Sequence, residues 1–200
     1  MTVTLAETVQ QEHCNTAQLT GLARQVAEQF LRTVSAMAIT DLTSHVEIVG
    51  PSTIPYLQRN AGDALIAAIK EQGQKVTLIH ALRTLPQQYA FWKWYLDGRC
   101  GKLASAMPGS SPFECGVAIE IDDADAWVKV LRSHNWQWCG SKNSAQFIFH
   151  GPQDPTFLNT SIWAFQRVWN NHHPEDELKP DGVLTPQTIA KLEMSPAAGF

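Results

Sequence analysis

The segment Lys75–Ala81 (KVTLIHA) constrains the fold more than any other part of the chain, because it predicts a central β-strand. It is apolar and β-branched, and it comes directly after Gly73, the expected cap of an amphipathic helix over Tyr56–Gln72. A second helix is predicted over Leu85–Asp97, with a proline in its first turn and Gly98 after its end. A strand between two such helices favours an α+β domain.

The remaining elements follow the same mixed pattern. Helices are predicted at Thr16–Met37, Ala124–Ser133 and Asn159–Trp169, strands at Val117–Ile121 and Phe147–His150, and extended chain over Ser44–Ile54. Residues 151–155 contain two prolines and indicate a linker, and the Asp181-Gly182 turn precedes a short helix. The predicted fold class is therefore α+β, with a small mixed or antiparallel sheet flanked by helices and a short helical C-terminal module.

Composition narrows the possible partners. A chain of 200 residues with 44% hydrophobic and 17% charged residues can bury one main core and carry a small accessory. The net charge of -4 provides no clustered cations for phosphate, so no nucleic-acid partner is expected. Residues 1–30 lack a signal-peptide pattern, and no apolar run reaches roughly 18 residues, so we expect no membrane insertion and a cytoplasmic location, with export left open.

The four cysteines contain no Cys-x-x-Cys pair, which argues against a zinc knuckle and a thioredoxin-type site. They are Cys14, Cys100, Cys115 and Cys139. Because no export signal is visible, free thiols are the prediction. A disulfide between Cys100 and Cys139 stays open for an exported protein.

Three segments together resemble the VanY-type D-alanyl-D-alanine carboxypeptidases. They are Ala81–Gly101 (ALRTLPQQYAFWKWYLDGRCG), Pro108–Ile121 (PGSSPFECGVAIEI) and Asn135–Pro152 (NWQWCGSKNSAQFIFHGP). The resemblance covers roughly residues 45–152 and implies a VanY/Hedgehog-like peptidase fold over 1–152. The tail, 153–200, is similar to a helical peptidoglycan-binding module through AFQRVW and DGVLTPQT, although Thr185 stands where that module usually has Gly.

The same resemblance implies that the zinc site of the family is lost here. The family holds zinc with His, Asp and His and uses a carboxylate as general base; the matching residues are Phe113, Glu120, Gln146 and Asn143. A catalytic zinc needs three protein ligands and an open position for water. A phenyl ring has no lone pair to donate, and a neutral amide cannot take a proton at neutral pH. We therefore expect no metal, no cofactor and no zinc-dependent hydrolysis.

Other residues of the family cleft persist. The resemblance places Arg83 against the substrate and the developing oxyanion, a role suited to a fixed guanidinium, whereas the alternative is a surface residue in the turn before the helix. Ser111 and Gly116 imply a retained cleft floor. Glu120 is either a solvated acid at a strand end or a desolvated general acid or base.

Two further hypotheses concern Cys115 and His150. On extended strands, Cys115 shares a face with Phe113 and His150 shares one with Gln146, so both could point toward the former metal site. They would then form a nucleophilic Cys-His pair, or a rebuilt metal site with Glu120. The alternative is that both residues have only a structural role.

The remaining histidines and aromatic residues favour structural roles. We expect His80 in the core or at a strand end and His172 and His173 in solvent. An aromatic group is mostly core, with one or two members facing the cleft: Trp92, Trp94, Tyr95, Trp136 and Trp138. The complete predicted cleft is Arg83, Ser111, Phe113, Cys115, Glu120, Trp138, Asn143 and Gln146.

Three functions remain open from the sequence. The first is a zinc-free relative whose cleft binds or transforms a small molecule or short peptide, by acid–base or cyclase-type chemistry, with Glu120 as proton donor or acceptor and Arg83 as electrostatic clamp. The second is a non-catalytic protein that binds peptidoglycan or D-Ala-D-Ala peptides. The third is a structural or regulatory partner, and fold resemblance alone does not decide among them.

Overall fold

The computed structural model describes residues 2–11, 14–101, 104–139 and 145–200. The α-helices in these ranges are α1 Leu5–Gln10, α2 Thr20–Thr33, α3 Arg59–Gln72, α4 Leu85–Leu96, α5 Ala124–Ser133, α6 Thr160–His172 and α7 Pro186–Met194. The strands are β1 Ile39–Asp41, β2 Glu47–Ile48, β3 Tyr56–Gln58, β4 Thr77–His80, β5 Ala118–Ile121, β6 Trp136–Trp138 and β7 Gln146–Phe149. The predicted α+β class is confirmed.

The larger sheet is mixed and has the strand order β2-β4-β5-β7-β6. β2 is parallel to β4, and the other neighbours are antiparallel. β4 lies between β2 and β5, so the expectation of a central rather than an edge strand at Lys75–Ala81 is confirmed. The sheet buries one core with α3 and α5, in which Leu65, Leu78 and Phe147 are fully enclosed.

A second core lies among the helices α1, α2, α4, α6 and α7. Its largest enclosed side chains include Phe30, Trp94 and Phe165, so residues before and after position 152 contribute to it. The division of the chain at 152 stays a prediction. In the structure, the C-terminal helices bury their apolar faces against the N-terminal ones.

Several predicted bounds of helices and strands were wrong, mainly where a strand pairs with a segment distant in the sequence. Tyr56–Gln58 is a strand and not the first turn of a helix, because it pairs antiparallel with Ile39–Asp41 and buries Leu57. The long helix expected over Thr16–Met37 is α2 with a separate 3₁₀ turn on either side. The short strand β6 was not anticipated from the sequence.

The backbone of the C-terminal residues forms hydrogen bonds with the backbone and side chains of α2. The amide of Leu22 donates to the carbonyl of Ala197 at 3.3 Å, and the Gln25 side chain bonds both the N–H and the carbonyl of Phe200. Gly21 lies directly beneath this tail: a Cβ at that position would stand 1.7 Å from the carbonyl oxygen of Ala198. Only glycine permits this approach.

The Gly21→Ala variant is therefore expected to lose about 1–3 kcal/mol of unfolding free energy through overpacking. Alanine normally stabilises a helix interior by about 1 kcal/mol relative to glycine, so the sign is reversed here. Urea denaturation measures the change, and hydrogen exchange shows whether residues 196–200 detach. The exposed Glu28→Ala on the same helix is the control, with a change within about 0.5 kcal/mol. A stabilised Gly21→Ala would contradict the tail contact.

The cysteine prediction was wrong for two of the four residues. Cys14 and Cys100 form a disulfide that closes a separation of 86 residues, so Cys100 has no bond to offer Cys139. Cys115 and Cys139 carry free thiols. The pairing was invisible in the sequence because it depends on the contact of α1 with α4. Among the described residues, no helix has both the length and the apolar character needed to cross a membrane.

Candidate functional site

Arg83 lies in the connection between β4 and α4. The helix begins after Thr84, whose hydroxyl and N–H form a capping box with Gln87, and Pro86 occupies its first turn. The backbone N–H of Arg83 donates to the carbonyl of Phe113 at 3.1 Å, which joins this connection to the PGSSPF segment. Arg83 is only 6% exposed, so the alternative of a surface residue is wrong.

Two aromatic rings pack against the guanidinium of Arg83. Its central carbon is 3.7 Å from the ring centre of Phe113 and 4.3 Å from that of Phe91. Its Nη2 pairs with Oε2 of Glu120 at 3.1 Å, and its Nη1 donates to Gln88 at 3.5 Å. Burial lowers the pKa of Arg83 to about 10, against the opposing effect of Glu120 and Glu114, so the side chain remains charged at neutral pH.

Glu120 and Gln146 are cross-strand neighbours on β5 and β7. The Gln146 Nε2 donates to Oε2 of Glu120 at 3.4 Å, the same oxygen that pairs with Arg83. The Glu120 side chain is 21% exposed, so it is neither a free strand-end acid nor a fully desolvated one. The three positions that the resemblance assigns to zinc ligands thus meet around a single guanidinium.

These residues do not fit a zinc ion. The Phe113 ring covers the guanidinium, Gln146 turns an N–H donor toward Glu120, and the carboxylate of Glu120 already has a cationic partner. No group of three or more His, Cys, Asp or Glu side chains suited to a metal occurs in the described part of the chain. The rebuilt metal site proposed from Cys115, Glu120 and His150 is therefore not formed. Asn143 lies outside the described residues.

A cavity of about 200 Å³ opens beside Arg83. Among the described residues its lining is Arg83, Gln88, Phe91, Ala104, Ser105, Ala106, Ser111, Pro112, Phe113, Cys139, Gln146 and Ile148. The predicted cleft residues Arg83, Ser111, Phe113 and Gln146 thus come together. Cys115 and Trp138 instead pack against the sheet core, and Glu120 contacts the cavity only through Arg83 and Gln146.

The proposed Cys115–His150 pair rests on a wrong local geometry. Residues 111–116 form successive turns and not a strand, because the N–H of Cys115 donates to Ser111 and that of Gly116 to Phe113. The alternation of faces therefore fails. Burial, and secondarily Glu114, raises the pKa of the Cys115 thiol to about 11, so it stays protonated at neutral pH. His150 is exposed at the end of β7.

The other histidines and aromatic residues mostly occupy the expected places. Trp94 and Trp136 are buried core residues, whereas Tyr95 is exposed. His80 packs edge-on against Phe91 at 5.4 Å. His172 is exposed as predicted, but the solvated position predicted for its neighbour was wrong: His173 is half-buried, because its ring stacks on Trp169 at 3.8 Å.

Glu114 is the residue that sequence reasoning missed. Its side chain is buried, and Oε2 accepts the N–H groups of Gly109 at 2.7 Å and Ser111 at 3.4 Å, while Oε1 has no partner. The carboxyl therefore holds the turn that forms one wall of the cavity. Burial raises the pKa of Glu114 to about 8, against the lowering effect of these N–H groups and Arg83. The one sequence signal of its burial was its position between two apolar residues, Phe113 and Cys115.

A pH-dependent stability follows from Glu114. Its pKa is 4.5 ordinarily and about 8 in the folded chain, so between these values the folded chain keeps a proton that the unfolded chain has released. The stability that protonated Glu114 provides is full below the lower value and is lost as the pH rises through the higher one. Glu114→Gln keeps an acceptor oxygen but cannot ionise. The unfolding free energy of Glu114→Gln minus that of wild type, measured by urea denaturation, should therefore be larger at about pH 8 than at about pH 5. Equal differences at both pH values would contradict a raised pKa.

Comparison of the chain with protein-family models, with curated proteins and with solved structures found no match. The features that bear on function are those of the site itself: the part-buried ion pair of Arg83 and Glu120, the buried carboxyl of Glu114 and the cavity beside them.

Proposed function

We propose that this chain is a metal-free relative of the VanY-type D-alanyl-D-alanine carboxypeptidases that has lost zinc-dependent hydrolysis and uses the remaining cleft for a small ligand. The observation that carries the proposal is the meeting of Phe113, Glu120 and Gln146 around Arg83, at the edge of a cavity. A mixed five-stranded sheet flanked by helices is compatible with a VanY/Hedgehog-like fold, which is part of the proposal.

The chemistry proposed for this cleft is metal-independent acid–base catalysis, such as a cyclisation in a biosynthetic pathway. Glu120 is the proton donor or acceptor, because its partly exposed carboxylate adjoins Gln146 in the cavity lining. Arg83 stabilises negative charge on Glu120 and holds its orientation through the contact at 3.1 Å. Glu114 supports the cavity wall from below through Gly109 and Ser111.

Metal binding tests the loss of the zinc site directly. Zinc should leave the melting temperature of the wild-type protein unchanged, because Phe113 and Gln146 supply no metal-ligating nitrogen. The double variant Phe113→His/Gln146→His places two imidazoles beside Glu120 and should gain zinc-dependent stability. Zinc at about 100 times its dissociation constant would add about 2.7 kcal/mol, which thermal unfolding with and without a chelator measures.

Each single variant is the control for the double one, since neither restores three ligands. Zinc bound stoichiometrically by the wild-type protein, together with cleavage of a peptide ending in D-Ala-D-Ala, would refute the proposal. Turnover of a small substrate that is lost in Glu120→Gln would support the catalytic part of it.

A second candidate function is a non-catalytic protein that binds D-Ala-D-Ala peptides of peptidoglycan. The Cys14–Cys100 disulfide favours it, because such bonds persist in oxidising compartments outside the cytoplasm, where the wall lies. This candidate requires that a peptide with a free D-Ala-D-Ala carboxylate binds more tightly than the same peptide as an amide. Calorimetry with the two peptides decides this point.

A further inference from the structure

We infer that the cavity beside Arg83 selects an uncharged polar ligand and rejects carboxylates, although its lining contains an arginine. This inference rests on the proposed function, namely that the cavity binds a small ligand, and it specifies the chemical class of that ligand. It is carried by the charges, the contacts and the lining groups of the site.

Among the residues that the structure describes, the charges around the cavity are balanced. Arg83 is the one formally charged side chain lining the cavity in the described part of the chain. Its positive charge is matched by Glu120 at 3.1 Å. Glu114 adds no charge near neutral pH, since burial raises its pKa to about 8. A ligand with a net charge would therefore meet no unmatched counter-charge among the described lining residues.

The guanidinium of Arg83 is also occupied in space. The rings of Phe91 and Phe113 pack against it, Nη2 donates to Glu120, and Nη1 donates to Gln88. Its Nε is buried without a hydrogen-bond partner and so does not reach the cavity. A carboxylate that approached the Nη2 side would therefore compete with Glu120 for the same cation and would be repelled by its negative charge.

The rest of the polar lining is neutral and offers both donors and acceptors. It consists of the amides of Gln88 and Gln146 and the hydroxyls of Ser105 and Ser111. Both N–H groups of Gln88 already donate, to Ser105 at 3.3 Å and to the carbonyl of Ala106 at 2.8 Å. The groups available to a ligand are therefore the amide of Gln146 and the two hydroxyls. Apolar walls of Phe, Pro, Ala and Ile complete the cavity. Such a lining pairs with amide, hydroxyl or lactam groups on a small uncharged molecule.

Two probes of nearly equal shape test the inference: N-acetyl-D-alaninamide, which is neutral, and N-acetyl-D-alanine, which is an anion at neutral pH. Titrations followed by ¹H-¹⁵N NMR should move the signals of Gln88, Ser111 and Gln146, with the amide binding at least about tenfold more tightly than the carboxylate. Equal or tighter binding of the carboxylate overturns the inference but not the ligand-binding cavity. Failure of both probes to move any cavity signal overturns the proposed function as well.

The Glu120→Gln variant provides the reverse test. Without Glu120 the charge of Arg83 is unmatched, so the preference should change in favour of the carboxylate by about tenfold or more. Glu71→Gln is the matched control: it changes the net charge equally, but Glu71 is an exposed residue of α3 paired with His134 at 2.8 Å, and its variant should keep the wild-type preference. An unchanged preference in Glu120→Gln overturns the inference. If that variant does not fold, the comparison of the two probes on the wild-type protein still decides.

Discussion

Replacing Arg83 with methionine is expected to lower the free energy of unfolding by about 3 kcal/mol, the lower end of the usual cost of breaking a buried ion pair, because the Glu120 side chain is 21% exposed. Methionine fills much of the space beside Phe91 and Phe113 but leaves Glu120 with Gln146 as its remaining side-chain partner among the described residues. The loss therefore comes from an uncompensated carboxylate and not from a cavity. Urea denaturation of the wild-type and variant proteins measures it.

The double variant Arg83→Met/Glu120→Gln separates charge from packing. It removes both charges, so much of the stability lost in Arg83→Met should return, and the double-mutant cycle gives a coupling energy. The exposed Arg24→Met is the matched control, with an expected change within about 0.5 kcal/mol. A double variant that is less stable than Arg83→Met would show that the ion pair is not the reason for burying Arg83.

Removing the Cys14–Cys100 disulfide should lower the stability by about 4 kcal/mol, since the bond restricts an unfolded loop with a separation of 86 residues. The double variant Cys14→Ser/Cys100→Ser is compared with wild type by urea denaturation without reductant. The N-terminal segment retains other contacts: Arg99 and Trp94 both donate to the carbonyl of Val9. The variant should therefore fold while being less stable.

Cys139→Ser is the control for this experiment, because that thiol is exposed and free. Thiol titration of the unfolded, unreduced wild-type chain should find the two free cysteines, Cys115 and Cys139. Four reactive thiols would contradict the disulfide and remove the support for the wall-associated candidate. The same titration after reduction provides the reference value.

Local signals in the sequence predicted many elements well. The amphipathic pattern gave α5 with the observed bounds Ala124–Ser133, and Gly73 ends α3 in the left-handed conformation expected of a glycine cap. Pro86 in the first turn indicated the start of α4, and the structure adds a capping box at Thr84. Each of these features depends on residues within one or two helical turns, so an amino-acid pattern contains the necessary information.

Elements that depend on distant partners were less accessible. Tyr56–Gln58 follows a helical pattern by itself, yet it forms a strand because β1 lies beside it. The PGSSPFECG segment suggested extended chain, but its hydrogen bonds close successive turns, so the alternation of faces expected of a strand does not apply to Phe113 and Cys115. Glu114 is an ordinary acid in the sequence. Burial, which only the fold produces, is the largest cause of its raised pKa.

The sequence by itself determined that a phenyl ring stands at position 113 and a neutral amide at position 146, and neither side chain is a usual zinc ligand. It also determined the α+β class, through periodicities that reflect local backbone geometry. Only the tertiary structure decided that Arg83 is enclosed by Phe91 and Phe113 and neutralised by Glu120. Burial and the strength of an ion pair depend on groups that are distant in the chain but adjacent in space, and these groups set the charge that a ligand meets.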